Sequence, residues 1–267
     1  MQPRSISSAQ NPLVKQVAAL HKPRERRKAG VFLVEGLRET ALAARAGYAI
    51  RVLLYCPDFV SLPTLLSHLP ASALAQADLV ELPAALFNSL AYRKDSANVL
   101  ACCDLREDTL ADLRLPAEPL LLVSEGVEKP GNLGAMLRTA DAVGVDAVVV
   151  CDPQADLFNP NVIRASLGAF FTLPVVAAAA PELIAYLRAQ GIRPYVTYLE
   201  GGQEPWRCDL RGACALVMGA EDSGIGPAWL EAGFDRIKIP MRGQVDSMNV
   251  SVSAAMLLYE ALRQRSH

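Results

Sequence analysis

One stretch in the middle of the chain, residues 120–150, decides the fold and reads LLLVSEGVEKPGNLGAMLRTADAVGVDAVVV. Apolar runs at its two ends, Leu120–Val123 and Ala147–Val150, predict buried strands. Between them, Asn132–Val143 carries apolar residues at helical spacing. A helix between two almost wholly apolar strands predicts a parallel sheet that is covered by helices on both faces.

The same alternation extends in both directions. Downstream, the pattern predicts strands at Pro174–Val176, Pro194–Thr197, Ala215–Met218 and Arg236–Ile239, and helices at Pro181–Gln190, Pro227–Ala232 and Asn249–Arg265. Upstream, it predicts strands at Val31–Val34, Ile50–Tyr55, Leu79–Leu82 and Val99–Cys102, and helices at Asn11–His21, Leu37–Ala46, Leu62–Leu69 and Ala84–Leu90. We therefore predict two α/β domains, residues 1–104 and 119–267, joined by an acidic, proline-containing linker at residues 105–118.

Composition excludes several classes of protein. The 267 residues are 52% hydrophobic and 20% charged, which rules out a disordered or coiled-coil chain. No apolar run approaches the ~18 residues of a membrane helix, and no apolar segment follows Arg4, so we expect a cytoplasmic protein. Six cysteines without a Cys-x-x-Cys pair and three histidines without ligand spacing argue against a metal site and a Ser-His-Asp hydrolase.

The charge is unevenly distributed. The chain carries a net charge of -2, yet its first thirty residues hold seven basic side chains and only one acidic side chain, Glu25. This local charge of +6 suits a surface that binds phosphates, and it equally suits a solvated arm.

Ligands of open α/β sheets bind beyond the carboxyl ends of strands, so the loops at those ends are the candidate sites. The dinucleotide fingerprint Gly-x-Gly-x-x-Gly after the first strand and the phosphate loop Gly-x-x-x-x-Gly-Lys are both absent from the sequence. Three other loops stand out: EKPGNLGAMLRTADAVG (128–144), LVMGAEDSGIG (216–226), and IKIPMRGQVDSMNVSVSAAMLLYEAL (237–262). Taken singly, each loop also has a purely structural interpretation, in which Asn132, Ser247 or Asn249 caps a helix and Gly219 is a turn residue.

Together, in this order and spacing, the three loops resemble the SpoU (TrmH) family of RNA 2′-O-ribose methyltransferases, of the SPOUT class. The motifs that carry the resemblance are Asn132-Leu-Gly134 through Arg138, Gly219-Ala-Glu221-Asp-Ser-Gly224, and Ile239-Pro240-Met241 through Ser247-Met248-Asn249-Val250-Ser251. Two residues depart from the family pattern: Met248 stands where leucine is usual, and Asp222 where glycine is common. The first half, with Asn11-Pro12-Leu13-Val14-Lys15 and Phe32-Leu33-Val34-Glu35-Gly36, resembles the RNA-substrate-binding domain of the longer members.

The resemblance implies a SPOUT parallel-sheet domain with a deep trefoil knot, preceded by a small ribosomal-protein-like α/β domain. It also implies S-adenosylmethionine as the methyl donor and a homodimer. Gly219, Ile239 and Met248 match the family positions whose backbone holds the cofactor, and Met218 and Pro240 adjoin them. An apolar slot with backbone donors and acceptors suits adenine.

Arg138 matches the family position that is proposed to activate the ribose hydroxyl. Because arginine is effectively always protonated, it is either a base in an unusual state or a clamp on phosphate that stabilises the developing alkoxide. The other candidate catalytic residues are Asn132, Glu221, Ser247 and Asn249. Glu221 is expected to orient Arg138, within the chain or across the dimer, and Asn249 to hold the motif loops together. Candidate RNA contacts are Lys15, Arg24, Arg26, Arg27 and Lys28.

Large-subunit ribosomal RNA is the expected substrate, because the longer members of the family mostly act on it. A transfer RNA methyltransferase of the same family is the alternative. A catalytically silent RNA-binding module would have lost Asn132, Arg138 or Asn249, and all three are intact. An unrelated nucleotide-using enzyme would be expected to have the missing glycine loops.

The last helix predicts how two copies would associate. Its apolar residues cover more than one stripe, and they are Val250, Val252, Ala254, Ala255, Met256, Leu257, Leu258, Ala261 and Leu262. The excess predicts a second face that is buried by a partner subunit, with Leu258 in the interface.

Overall fold

The computed structural model describes residues 3–92, 98–154, 156–244 and 247–266. Residues 245 and 246 of the third motif loop lie outside the described residues. By their contacts, the residues fall into two compact units. Unit one comprises the chain up to Arg106 together with Asp156–Thr172, and unit two comprises Glu107–Ala155 and the chain from Leu173 onward.

The structure forms strands and helices in regular alternation. The strands are β1 (Arg4–Ser5), β2 (Val31–Glu35), β3 (Ile50–Tyr55), β4 (Asp78–Glu81), β5 (Val99–Asp104), β6 (Leu120–Glu125), β7 (Ala147–Cys151), β8 (Val175–Ala178), β9 (Arg193–Thr197), β10 (Cys214–Met218) and β11 (Asp235–Ile237). The helices are α1 (Pro12–Ala19), α2 (Pro23–Ala29), α3 (Leu37–Arg45), α4 (Leu62–His68), α5 (Ala71–Gln76), α6 (Ala84–Leu90), α7 (Pro130–Val143), α8 (Pro160–Ala165), α9 (Ala169–Thr172), α10 (Ala180–Ala189), α11 (Pro227–Glu231) and α12 (Val250–Arg265).

Unit one is built on a five-stranded mixed sheet in the order β1-β4-β3-β5-β2, in which β5 runs antiparallel to both neighbours. Helix α1 begins at Pro12 because Asn11 caps it, accepting a hydrogen bond from the Leu13 N–H at 2.9 Å. Helix α2, which the sequence pattern does not predict, begins at Pro23 and ends at Gly30, whose φ of 64° is the left-handed conformation that glycine favours.

Residues 156–172 belong to unit one although they follow the second strand of unit two's sheet in sequence. Phe158 and Phe171 pack on Phe32 of β2, with ring centroids 4.8 Å and 6.3 Å away, and Phe171 also contacts Tyr48. The sequence-based division into residues 1–104, 105–118 and 119–267 assumes that each domain is one continuous segment and does not provide for this packing.

Unit two is built on a six-stranded sheet in the order β11-β9-β10-β6-β7-β8, and every pairing is parallel. Strands β6, β7 and β10 are buried along their whole length, which matches their apolar sequences. The parallel α/β fold class is thus confirmed, while the knot stays a prediction of the resemblance. Leu110 and Leu113, inside the predicted linker, are buried in the core of this unit.

The last helix, α12, has two apolar faces. Its buried residues, which pack within unit two, are Val250, Ala254, Leu257, Leu258 and Ala261. Leu258 is fully buried there, so the expectation that it lies in a subunit interface is wrong. On the opposite face, Val252, Met256 and Tyr259 are 50%, 48% and 55% exposed. Among the described residues, no helix has the length and apolar character that a membrane span requires.

Candidate active site

The candidate site lies at the carboxyl ends of β6 and β10, which are neighbours in the middle of the sheet of unit two. From β6 the sheet continues through β7 to β8, and from β10 it continues in the other direction through β9 to β11. The connections therefore diverge between β6 and β10, and such a switch point opens a crevice where α/β proteins bind ligands. The first motif follows β6, and the second follows β10.

The second motif closes on itself directly after β10. The Ala220 N–H donates to the Gly224 carbonyl at 2.9 Å, and the Gly224 N–H donates back at 3.0 Å. A Cβ atom at Gly219 would lie 2.6 Å from the backbone carbon of Gly224, a distance that real contacts do not reach. Glycine is required at residue 219 because the loop's own backbone fills the space of a side chain.

A polar network joins the three motifs. The Glu221 carboxylate accepts hydrogen bonds from the Lys129 ammonium and the Asn132 side-chain amide. The Asn132 side-chain oxygen in turn accepts from the Asn249 amide nitrogen at 3.2 Å. Asn249 caps α12, accepting from the Ser251 N–H at 3.0 Å. The first loop, the second loop and the start of the last helix are thereby tied together side chain by side chain.

Asn132 is free to take part in this network because it does not cap its helix. Helix α7 begins at Pro130, two residues earlier, and its N-cap residue Lys129 makes no side-chain cap bond. Interpreting Asn132 as a helix cap, the structural alternative from the sequence, is therefore wrong.

Lys129 is a site residue that sequence reasoning missed. It forms an ion pair with Glu221, and this partner raises the pKa of the lysine above its usual value. The signal was present, because Lys129 directly precedes Pro130 at the start of the first motif. Its charge offsets that of Glu221 at the centre of the network.

Arg138 lies on the exposed side of α7, opposite the buried residues Leu133, Met136 and Leu137. Within the described part of the chain, it makes no hydrogen bond or ion pair. Glu221 is engaged by Lys129 and Asn132 instead, so it does not orient Arg138 within this chain. The guanidinium therefore faces solvent with its hydrogen-bond donors free.

The candidate cofactor residues lie at the end of β10 and in the third motif. Met218 ends β10 and is buried, Gly219, Ile239 and Met248 are half-buried, and Pro240 and Ser247 are exposed. Strand β11 ends at Ile237, earlier than predicted, which leaves Ile239 and Pro240 in the segment beyond it.

An unpartnered hydroxyl adjoins these residues. The side-chain oxygen of Ser124 is buried, lies on β6 in register with Met218, and has no hydrogen-bond partner among the described residues. Apolar half-buried side chains, a tight glycine loop and a buried unpaired hydroxyl fit the adenosine portion of S-adenosylmethionine.

Glu125, the last residue of β6, holds the far end of the second loop. It is buried and accepts a hydrogen bond from the Gly226 N–H at 3.0 Å. Burial is the main reason that the pKa of this carboxyl lies above its usual value. Sequence reasoning missed Glu125 because it ends an apolar strand and carries no motif of its own.

A possible metal-binding group surrounds this carboxylate. Glu125, Cys151 and Asp152 have ligand atoms within 4.8 Å of one another. The Ala180 N–H approaches Asp152 at 3.3 Å and the Gly226 N–H donates to Glu125, so a backbone donor engages each of the two carboxylates.

The candidate RNA contacts of unit one separate into two kinds. Lys15, Arg24, Arg27 and Lys28 are exposed. Arg26 is only 1% exposed, and its guanidinium donates to Asp156 at 2.5 Å and to the Leu20 carbonyl at 2.7 Å. Arg26 therefore forms a buried ion pair with Asp156, and its assignment as an RNA contact is wrong. A count of charges cannot show which face of a helix a residue occupies.

Unit two is thus a parallel α/β domain with a three-loop site at the carboxyl ends of its central strands, and unit one is an α/β domain with an exposed basic helix. Residues 119–259 match the SpoU rRNA Methylase family, and residues 11–101 match the MRM3-like substrate binding domain. The chain belongs to the SpoU rRNA methylase family, which confirms the resemblance drawn from its motifs.

Individual relatives agree with this placement. The 23S rRNA (guanosine(2553)-2′-O)-methyltransferase RlmP of Bacillus subtilis is 32% identical over 256 residues, which are 96% of this chain and 98% of that protein. A crystal structure of an RNA 2′-O ribose methyltransferase matches with a TM-score of 0.84 at 39% identity, covering 98% of this chain and 100% of that one. The AdoMet-bound rRNA methyltransferase of Sinorhizobium meliloti matches with a TM-score of 0.89 at 27% identity over 98% of both chains.

Proposed function

We propose that this protein transfers a methyl group from S-adenosylmethionine to a ribose 2′-hydroxyl of large-subunit ribosomal RNA, in the cytoplasm. The observation that carries the proposal is the network from Lys129 through Glu221 and Asn132 to Asn249. It assembles the three family motifs into one site at the switch point of the sheet. The name of the Bacillus subtilis relative, a 23S rRNA 2′-O-methyltransferase, supports the choice of ribosomal RNA.

The cofactor would be held by Met218, Gly219, Ile239, Pro240 and Met248. When bound, S-adenosylmethionine supplies an electrophilic methyl group on a sulfonium centre. The closed loop at Gly219 keeps its backbone in one conformation, which preorganises the pocket wall. Because this wall is fixed before binding, less ordering is required when the ligand arrives.

Arg138 acts on the RNA. A guanidinium that is always protonated cannot readily accept the proton of the 2′-hydroxyl, but it can bind a phosphate with two parallel hydrogen bonds. In that position it also stabilises the negative charge that develops on the attacking oxygen. Its exposure and its free donors support this role over that of a base.

The network residues position rather than react. Glu221 is bound on both sides, and its charge is offset by Lys129. Asn132 and Asn249 fix the distance between the first and third motifs, and Ser247 precedes this junction. Alignment of the attacking oxygen with the methyl group is worth several kcal/mol in well-oriented reactions, on the order of 7–11 in the best cases.

We also propose a homodimer that buries the outer face of α12. Val252, Met256 and Tyr259 are spaced by four and three residues, so they form one narrow apolar stripe on an exposed helix face. A twofold dimer is the commonest way to cover such a self-complementary stripe. A partner subunit would also bring a second set of motifs, from which a residue could orient Arg138.

RNA capture belongs to unit one. Lys15, Arg24, Arg27 and Lys28 are exposed on α1 and α2 and would contact phosphates of the ribosomal RNA. We propose no membrane partner and no metal ion for the reaction.

The test is methyl transfer from labelled S-adenosylmethionine to RNA from a strain that lacks the gene, followed by mapping of ribose methylation. We expect label in large-subunit ribosomal RNA, and a rate of labelling that is about 10²–10³-fold lower with the Arg138→Ala variant. Label in transfer RNA alone would establish the family alternative instead. RNA binding without transfer, despite cofactor binding in calorimetry, would identify a catalytically silent RNA-binding module.

A further inference from the structure

Tyr92 of unit one exposes a large aromatic ring. It follows α6 and is 53% exposed. Its backbone N–H donates to the Glu35 carboxylate at 2.8 Å, which anchors this residue to the end of β2. In the described part of unit one, it is the one large hydrophobic side chain that is exposed.

The Arg164 guanidinium lies over this ring. The guanidinium carbon lies 5.1 Å from the centroid of the Tyr92 ring, within the range of a cation–π interaction. Arg164 belongs to α8 and is half-buried, and its Nε atom is buried with no hydrogen-bond partner among the described residues. No carboxylate of the described residues pairs with it, whereas Arg26 is neutralised by Asp156. The pair thus combines a flat aromatic surface with an uncompensated positive charge.

The segment that precedes Tyr92 is hydrogen-bonded to the turn before the basic helix of the same unit. His21 donates from its Nε2 atom to the Leu90 carbonyl at 3.0 Å, two residues before Tyr92. The preceding residue, Leu20, accepts a hydrogen bond from Arg26 of α2. The turn between α1 and α2 is therefore bonded to the Tyr92 segment on one side and to α2 on the other.

We propose that Tyr92 and Arg164 form a stacking site for an unpaired base of the RNA substrate. Arg164 covers one side of the ring, and the remaining exposed area of the ring accepts the base. Proteins recognise unpaired RNA bases by stacking them on aromatic rings and guanidinium planes beside a positively charged surface. The exposed Arg24, Arg27 and Lys28 of α2 supply that surface.

A single-stranded RNA fits this site better than a protein partner does. Protein interfaces need a contiguous patch with several apolar side chains, and among the described residues of unit one Tyr92 is the single exposed large hydrophobic side chain. One flat ring with one cation offers the contact area of one base. The inference deepens the proposed function and rests on its assignment of RNA as the substrate.

The test compares Tyr92→Ala and Tyr92→Phe for binding to a short single-stranded RNA and to the duplex formed with its complement. We expect Tyr92→Ala to weaken single-strand binding by roughly 10-fold, in line with the loss of one base–aromatic stack. Tyr92→Phe keeps the ring and should restore binding, and duplex affinity should change little. Trp206→Ala, which removes an exposed aromatic ring of unit two, is the matched control.

Steady-state kinetics with ribosomal RNA complete the test. Tyr92→Ala should raise KM for RNA with little change in kcat, and calorimetric affinity for S-adenosylmethionine should stay at the wild-type value. Single-strand affinity and KM equal to the wild type would overturn the stacking site, even if the protein methylates RNA. If instead the wild type transfers no methyl group while Tyr92→Ala still loses single-strand affinity, the stacking site stands and the proposed enzymatic function fails.

Discussion

At the scale of single residues, three arginines and one glutamate show how neighbouring groups decide what a charged side chain can do. Arg26 is buried against Asp156, and Glu221 is held by Lys129 and Asn132. Both charged groups are already paired within the folded protein. Arg138 has no such partner among the described residues, and Arg164 has only the ring of Tyr92. Charges without partners are the ones available to an RNA phosphate.

Replacing Arg138 should therefore separate activity from stability. Arg138→Ala should lower kcat by about 10²–10³-fold, the usual effect of losing a group that stabilises developing charge. The melting temperature should stay within a degree or so of the wild type, because an exposed side chain without a partner contributes little. Arg138→Lys should fall between the two, since lysine keeps the charge without the two-pronged geometry. A kcat for Arg138→Ala equal to that of the wild type would remove Arg138 from the reaction.

Gly219 offers a second test. Gly219→Ala places a Cβ 2.6 Å from the Gly224 backbone, so the loop must open even for the smallest side chain. We expect loss of S-adenosylmethionine binding in calorimetry. The far-ultraviolet circular dichroism spectrum should be retained, because the substitution leaves the strands and helices outside the loop unchanged. Gly212→Ala is the matched control, since nothing lies within 4 Å of its Cβ. Unchanged cofactor affinity in Gly219→Ala would place the pocket elsewhere.

Glu125 should make stability depend on pH. Its pKa in the folded protein is raised above the ordinary value of 4.5, mainly by burial. Just above that value the folded protein retains a proton that the unfolded chain has released, so the free energy of unfolding falls as pH rises through the raised pKa. Glu125→Gln keeps an oxygen for the Gly226 N–H and removes the titration. The melting temperature of the variant, minus that of the wild type, should increase from pH 4.5 towards neutrality, and a constant difference would contradict this account.

At the scale of elements, α12 separates its two apolar faces by half a turn. The inner face, with Ala254, Leu257 and Ala261, packs within unit two, and the outer face carries Val252, Met256 and Tyr259. From the sequence alone, both faces contribute to one broad apolar surface. The pattern therefore predicted correctly that the helix is more apolar than one packing surface requires, and it chose the wrong residue, Leu258, as the probe.

Met256→Glu should convert the proposed dimer into monomers that remain folded. The side chain is 48% exposed within its own chain, so a carboxylate is tolerated in the monomer, whereas burying it in an apolar interface is costly. Sedimentation at low protein concentration would measure the change, with Met256→Leu as the conservative control. Leu258→Glu should instead unfold unit two, because that position is fully buried. A Met256→Glu variant that remains dimeric would exclude this face.

Elements with apolar runs between turn residues could be predicted closely. The bounds of β3 and α6 coincide with those expected from the sequence. Helix α2, PRERRKA, could not be predicted, because it has no apolar stripe. Its position depends on Arg26 pairing with Asp156, 130 residues further along the chain. Local patterning cannot supply a contact at that separation.

The candidate site divides in the same way. Asn132, Glu221 and Asn249 could be named from their motifs, since short motifs are visible in the sequence. Their mutual hydrogen bonds, and the parts that Lys129 and Glu125 play, depend on which strands are neighbours in the sheet. The order of the strands in a sheet cannot be inferred from any one segment of the sequence.

At the scale of the whole molecule, residues 156–172 decide how the protein can be divided. They interrupt the sequence of unit two, yet their aromatic rings pack on Phe32 and Tyr48 of unit one. A truncation that begins at residue 107 would keep Phe158, Phe170 and Phe171 while removing the surface that buries them. Exposed aromatic clusters of this kind promote aggregation.

Such a truncated chain should therefore be poorly soluble. Replacing Phe158, Phe170 and Phe171 by serine in the truncated chain should restore a soluble protein that binds S-adenosylmethionine. The physical reason is that the three rings serve the core of unit one, whereas the candidate cofactor residues all belong to unit two. In the full-length chain, the same three substitutions should lower the melting temperature, because each removes a buried ring worth about 3 kcal/mol or more. Light scattering and calorimetry give the two measurements. A truncated chain that is soluble and binds cofactor without the substitutions would mean that residues 156–172 can bury their rings without the first 106 residues.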